Sequence, residues 1–217
     1  MAYSYYKEEH NERFRKALLS VLPEYFATPT MQKRLSKHFL QVNKLRIERI
    51  FAYELYHQLR KHYQNSNHYV SGEFIKGLAF FPDYNRSNTI IPDIIIHQFK
   101  TTRENALAAE IKSTPSLSVQ QILDDLENLE LLTRPGNGAL NFEIGILLII
   151  NYDFQLKFTK MRIENKRRIR KALKKSRSSI WNIAVPKVMK EHGTDSEIKL
   201  QEDCLKIYKS DDFIFNF

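Results

Sequence analysis

One cysteine, Cys204, is the whole thiol content of the chain, so neither an intramolecular disulfide nor a cysteine-based zinc site can form, and a reducing cytoplasm is the expected setting. Six glycines and seven prolines among 217 residues leave few breaks, which favours regular helices and strands. The longest apolar run, Ile144 to Ile150, is far too short to span a bilayer, and the polar, aromatic start Met1-Ala-Tyr-Ser-Tyr-Tyr is not a signal peptide. No membrane partner is expected. There is no internal repeat and no glycine-rich nucleotide loop, so any use of ATP requires another protein. Acid is in deficit as well: 25 Asp and Glu against 34 Lys and Arg give a formal net charge of +9. That balance points to a polyanionic partner, nucleic acid foremost, and is silent about fold. The length suits a single domain with one main core.

What is present centres on Ile90 to Ser113. Ile90 to His97 is an apolar, β-branched run that reads as a buried strand carrying Asp93; Gln98 to Asn105 reads as a turn, and Leu107 to Lys112 as the returning strand. Side chains alternate along a strand, so Glu110 and Lys112 share a face while Ile111 points into the core. Pairing of the two strands brings Asp93 close to Glu110. Two carboxylates so placed repel each other, and a divalent ion such as Mg²⁺, which takes oxygen ligands, resolves the conflict.

Pro92-Asp93 followed by Glu110-Ile111-Lys112 resembles the PD-(D/E)xK nuclease superfamily, which includes the type II restriction enzymes; the resemblance spans about Leu45 to Tyr152. It implies an α/β, restriction-endonuclease-like core: a central mixed sheet flanked by helices, with extra N-terminal helices and a basic C-terminal helix. It further implies a Mg²⁺- or Mn²⁺-dependent nuclease hydrolysing phosphodiester bonds, most naturally in DNA. Asp93, Glu110 and the backbone carbonyl of Ile111 would hold the metal, and Lys112 would contact the attacking water and the phosphate, as base or as electrostatic support. Many members carry a helix before the sheet whose glutamate points at the metal. Glu48 matches that position and Glu54 competes with it; both interrupt an apolar stripe of Ile47, Ile50, Phe51, Leu55 and Leu59, and each is also explained by a salt bridge to Arg46, Arg49 or Arg60. Some members use a glutamine on the helix after the motif, which makes Gln120 and Gln121 secondary candidates, although a polar helix start accounts for both. The alternative is a catalytically inactive subunit of the same fold that binds nucleic acid or protein.

The remaining chain is read around this core. Residues 1–44 form an N-terminal helical arm (Glu8 to Val21, then a helix with Met31, Leu35, Phe39 and Leu40), 45–156 the core, and 157–217 a basic helix and extension. Leu45 to Tyr63 is the third helix. Tyr69 to Phe81 reads as the first strand, with Glu73 a further cleft candidate. A helix bearing Val119, Ile122, Leu123, Leu126 and Leu129 crosses over to the apolar strand Phe142 to Tyr152. Lys157 to Arg177 then reads as a helix with Ile163, Ile169, Leu173 and Ile180 on one side and a cationic face of Lys166, Arg167, Arg168, Arg170, Lys171, Lys174 and Lys175 for a phosphate backbone, closed by Trp181. A final strand and the aromatics Phe213, Phe215 and Phe217 end the chain. One such site cuts one strand, so a homodimer or a place in a larger complex is compatible with it.

Overall fold

A computed structural model describes residues 2–21, 37–72, 90–98, 105–112, 117–134, 140–150, 159–183 and 205–209. Within them lie helices α1 (Ala2–Leu19), α2 (Lys37–Tyr63), α3 (Val119–Thr133) and α4 (Ile163–Lys175), and strands β1 (His68–Gly72), β2 (Ile94–Gln98), β3 (Asn105–Lys112), β4 (Ile144–Ile150), β5 (Ser178–Ile183) and β6 (Leu205–Tyr208). The strands form one six-stranded sheet in the order β1-β2-β3-β4-β5-β6. The β3/β4 and β4/β5 pairs are parallel and the other three antiparallel, so the fold is α/β with a mixed sheet. Each parallel pair needs a crossover, and α3 and α4 supply them.

Two apolar layers cover the sheet. Ile144, Ile146, Leu148 and Ile150 of β4 face a cluster with Phe14 and Leu18 of α1 and Phe51, Leu55 and Leu59 of α2. Leu147 and Ile149 face the opposite cluster, with Ile122, Leu126 and Leu129 of α3 and Ile169 and Leu173 of α4. A strand covered on both faces has no polar side to alternate with, which is why Ile144 to Ile150 is apolar almost throughout. Asn105 fixes the start of β3 beside β4: its buried amide donates to the Leu140 carbonyl, and its own carbonyl accepts from the Glu143 N–H at 2.9 Å. α3 opens with a capping box in which Ser118 Oγ accepts from the Gln121 N–H at 3.1 Å and Gln121 Oε1 accepts from the Ser118 N–H at 2.8 Å. Among the described residues no helix is long and apolar enough to cross a membrane.

Three expectations are corrected. Asp93 is not on a strand: Pro92 has no N–H to give a ladder, and β2 begins one residue after Asp93, at Ile94. The basic helix ends at Lys175, with Ile180 and Trp181 on β5 rather than on or closing that helix. The boundary between residues 44 and 45 falls inside α2, and α1 packs into the core, with Phe14 edge-on to Trp181 at 5.5 Å between centroids. Most of the expected second helix, Glu73 to Phe81, and the aromatics Phe213, Phe215 and Phe217 lie outside the described residues. The expected final strand is present as β6.

Candidate functional site

The β2/β3 register pairs Ile94 with Ala109, so its continuation by one residue sets Asp93 across from Glu110. There β2 has ended, and the Asp93 side chain takes the place of the missing strand: its Oδ2 accepts the Ile111 N–H at 2.7 Å. A strand residue sends its N–H and C=O to the same edge, so the Ile111 carbonyl also faces the Asp93 side. Glu110 and Lys112 continue the alternation that puts Ala108 on the α3/α4 face of the sheet.

Glu110 is only 6% exposed. Burial first, and then the charge of Asp93, push its carboxyl up to about 8, with Lys112 working against them and Asp125 and Glu48 adding to the rise. Lys112 Nζ stands 3.5 Å from Asp125 Oδ1 on α3. Burial works to lower the lysine, but Asp125, Glu110, Glu48 and Asp93 together outweigh it and hold the ammonium charged. Asp125 is itself raised to about 6 by its burial, although Lys112 pulls the other way. Glu48 approaches from α2. It lines a cleft of about 590 Å³ with Asp93, and its charge is felt by Glu110, Lys112 and Asp125.

Asp93, Glu110, Lys112 and Glu48 are thus brought together from three elements: the lead-in to β2, strand β3 and helix α2. Glu54 is not among them. It lies six residues after Glu48, about 120° around the helix, and accepts from Gln58 Nε2 at 2.6 Å. Gln121 completes the capping box with Ser118 at the start of α3, while Gln120 donates to Asp124 at 2.6 Å and accepts from Arg168 at 3.2 Å, so both side chains are engaged within α3 and at its contact with α4. Glu73 lies outside the described residues. Asp125 was missed by the sequence reading. Its signal was there: it falls between Ile122 and Leu126 in the apolar stripe of α3, the same irregularity that singles out Glu48 on α2. Among the described residues no three His, Cys, Asp or Glu side chains group as ligands of one ion. Two carboxylates with a main-chain carbonyl are a different donor set, of the kind that suits Mg²⁺ with water and phosphate completing the shell.

Of the cationic residues on α4, Arg167, Arg168, Lys171, Lys174 and Lys175 are exposed, and Lys166 and Arg170 are half-buried. Arg167, Lys171 and Lys174 recur at the helical period and form one outward row. Comparison with protein-family models, with curated proteins and with solved structures found no match for this chain.

Proposed function

We propose that the chain is a metal-dependent nuclease with a restriction-endonuclease-like core, hydrolysing phosphodiester bonds in DNA. One observation carries the reading: Asp93, tied to the Ile111 N–H, stands at the end of β3 beside Glu110 and Lys112, in a cleft that Glu48 also lines. The donor set fits a divalent cation. Glu110 is kept protonated to about 8 by burial and by Asp93, and a cation shared by the two is what would let both ionise. Asp93, Glu110 and the Ile111 carbonyl would hold Mg²⁺ or Mn²⁺. The ion supplies charge neutralisation at the phosphate and makes a bound water more acidic.

The chain's own groups account for the rest. Lys112, kept cationic by four acids, would meet the non-bridging phosphate oxygens and stabilise the charge that builds there. Asp125 holds the ammonium at the end of its long side chain. Glu48, on the cleft wall, would accept hydrogen bonds from a water entering the cleft and orient it. The outward row of Arg167, Lys171 and Lys174 would follow the phosphate backbone away from the site.

The test is incubation of the protein, and of Lys112→Ala and Asp93→Ala, with linear, circular and single-stranded DNA and with RNA in Mg²⁺, Mn²⁺ or EDTA. Metal-dependent cutting, reduced on the order of 100-fold or more by either substitution, is expected. Intact substrates throughout, with no Mn²⁺ binding that depends on Asp93, would overturn the proposal. The Lys112–Asp125 pair favours one other reading, a binding subunit whose lysine is committed to structure. Metal binding without cleavage would mark that case.

A further inference from the structure

The cleft that Glu48 and Asp93 line has a second wall that the acidic group does not use. Arg49, Ala52, Tyr53 and Tyr56 follow one another at helical spacing along α2 and run about 10 Å beside the acids. Ala52 and Tyr56 pack against the core that holds Phe51, Leu55 and Leu59, whereas Arg49 and Tyr53 stand outside it. Tyr53 is 61% exposed, so the core does not require its ring. Tyr56 is half-buried behind it, with the Arg60 guanidinium 5.9 Å from its ring centroid. Gly72, at the end of β1, also lines the cleft. A Cβ there would lie 3.6 Å from the Asp93 carbonyl oxygen and 3.8 Å from Tyr56 Cδ2, ordinary contacts, so this strand end lies against the Tyr56 ring and closes the cleft beside it.

The exposed Tyr53 ring therefore offers a flat face in the cleft on which a planar group can stack. Glu48 and Asp93 line the same cleft, and so does Arg49. A planar ring attached to a phosphodiester meets all three conditions. Bases in a duplex have both faces covered by their neighbours, whereas an unpaired base offers a face to an aromatic side chain. The net charge of +9 favours a polyanion over a small neutral ligand.

We propose that this cleft binds an unpaired base of a single-stranded nucleic acid, stacked on Tyr53, with the adjoining phosphodiester directed at Asp93 and Glu110. The inference rests on the reading of the acidic group as a phosphodiester site for its second half; base binding is tested without it. The full chain is titrated in EDTA with a fluorescent oligodeoxythymidylate and with a duplex of equal length at one salt concentration, so that no cleavage intervenes. Tighter binding of the single strand is expected. Tyr53→Ala should weaken it by between about five- and 150-fold, Tyr53→Trp should retain it, and neither should change duplex binding. Gly72→Leu, which puts a side chain into the cleft that Gly72 lines, should match Tyr53→Ala, while Gly72→Ala, with only ordinary contacts at its Cβ, should behave as wild type. Thermal melts of all four variants separate loss of the binding cleft from loss of the fold. Equal affinity for both probes, or single-strand binding within twofold of wild type in both Tyr53→Ala and Gly72→Leu, overturns the inference. Tyr53-dependent binding by a protein that cuts nothing would keep this site and remove the nuclease.

Discussion

At Glu110 the fold holds a carboxyl group where its ion is disfavoured, and that has a consequence for stability with a definite sign. The group titrates near 4.5 in the unfolded chain and at about 8 in the folded one. Between those values the folded state binds the extra proton. The contribution is therefore fully present below 4.5 and is lost as pH rises through 8, by up to about 5 kcal/mol. Chemical denaturation of the metal-free protein should accordingly show wild type losing stability relative to Glu110→Gln between pH 5 and 9. Mg²⁺ should recover more of that stability at pH 8 than at pH 6, because it binds the ionised form. Parallel profiles for the two proteins, with or without Mg²⁺, would show that Glu110 is not strained. The shared face of Glu110 and Lys112 was legible, because a strand's period of two fixes it. The exact seat of Asp93 was not: it depends on where β2 stops and on the Ile111 N–H left open by that stop, which are tertiary facts.

Elements were legible where their pattern had one explanation. β4 was, since an unbroken apolar heptapeptide fits a strand covered on both faces. β5 was not. Ser178-Ser-Ile-Trp-Asn-Ile follows a basic helix directly, and Ile180 continues the spacing of Ile169 and Leu173, so the helical pattern runs on past the true end at Lys175. What stops the helix is local: Ser176 donates its N–H and its hydroxyl to the Ala172 carbonyl, both at 3.1 Å, while its backbone turns extended. The parallel β4/β5 pair then presses on Gly145. A Cβ there would collide with Ser178 Oγ, and would stand 3.1 Å from Ser178 Cβ and 3.2 Å from Thr133 Cγ2 on α3. Gly145→Ala is expected to destabilise by about 1–3 kcal/mol in urea unfolding, with Ser178→Ala in the same chain restoring part of the loss. A neutral Gly145→Ala would mean that β5 and α3 give way without cost.

For the whole molecule the excess of positive charge was legible and its layout was not, because layout depends on chain direction. α4 joins the end of β4 to the start of β5, and those strands are parallel, so the helix runs back against them. Its first turns therefore lie at the sheet end where β3 delivers Glu110 and Lys112, and Lys174 and Lys175 at the other. α3 and α4 share a sheet face, and Arg168 reaches across to Gln120 at 3.2 Å. The row of Arg167, Lys171 and Lys174 thus leads away from the acidic cleft rather than encircling it. Phosphate contacts along such a row act through released counterions, without regard to sequence. Replacing all three with alanine should weaken duplex binding in EDTA and lower the slope of log affinity against log salt by about three, roughly one for each lost phosphate contact. Tyr53→Ala should leave that slope where it is, since stacking releases no counterions. An unchanged slope in the triple variant would move the phosphate track elsewhere on the protein. The acidic cleft would then have to draw its substrate by contacts other than those α4 offers.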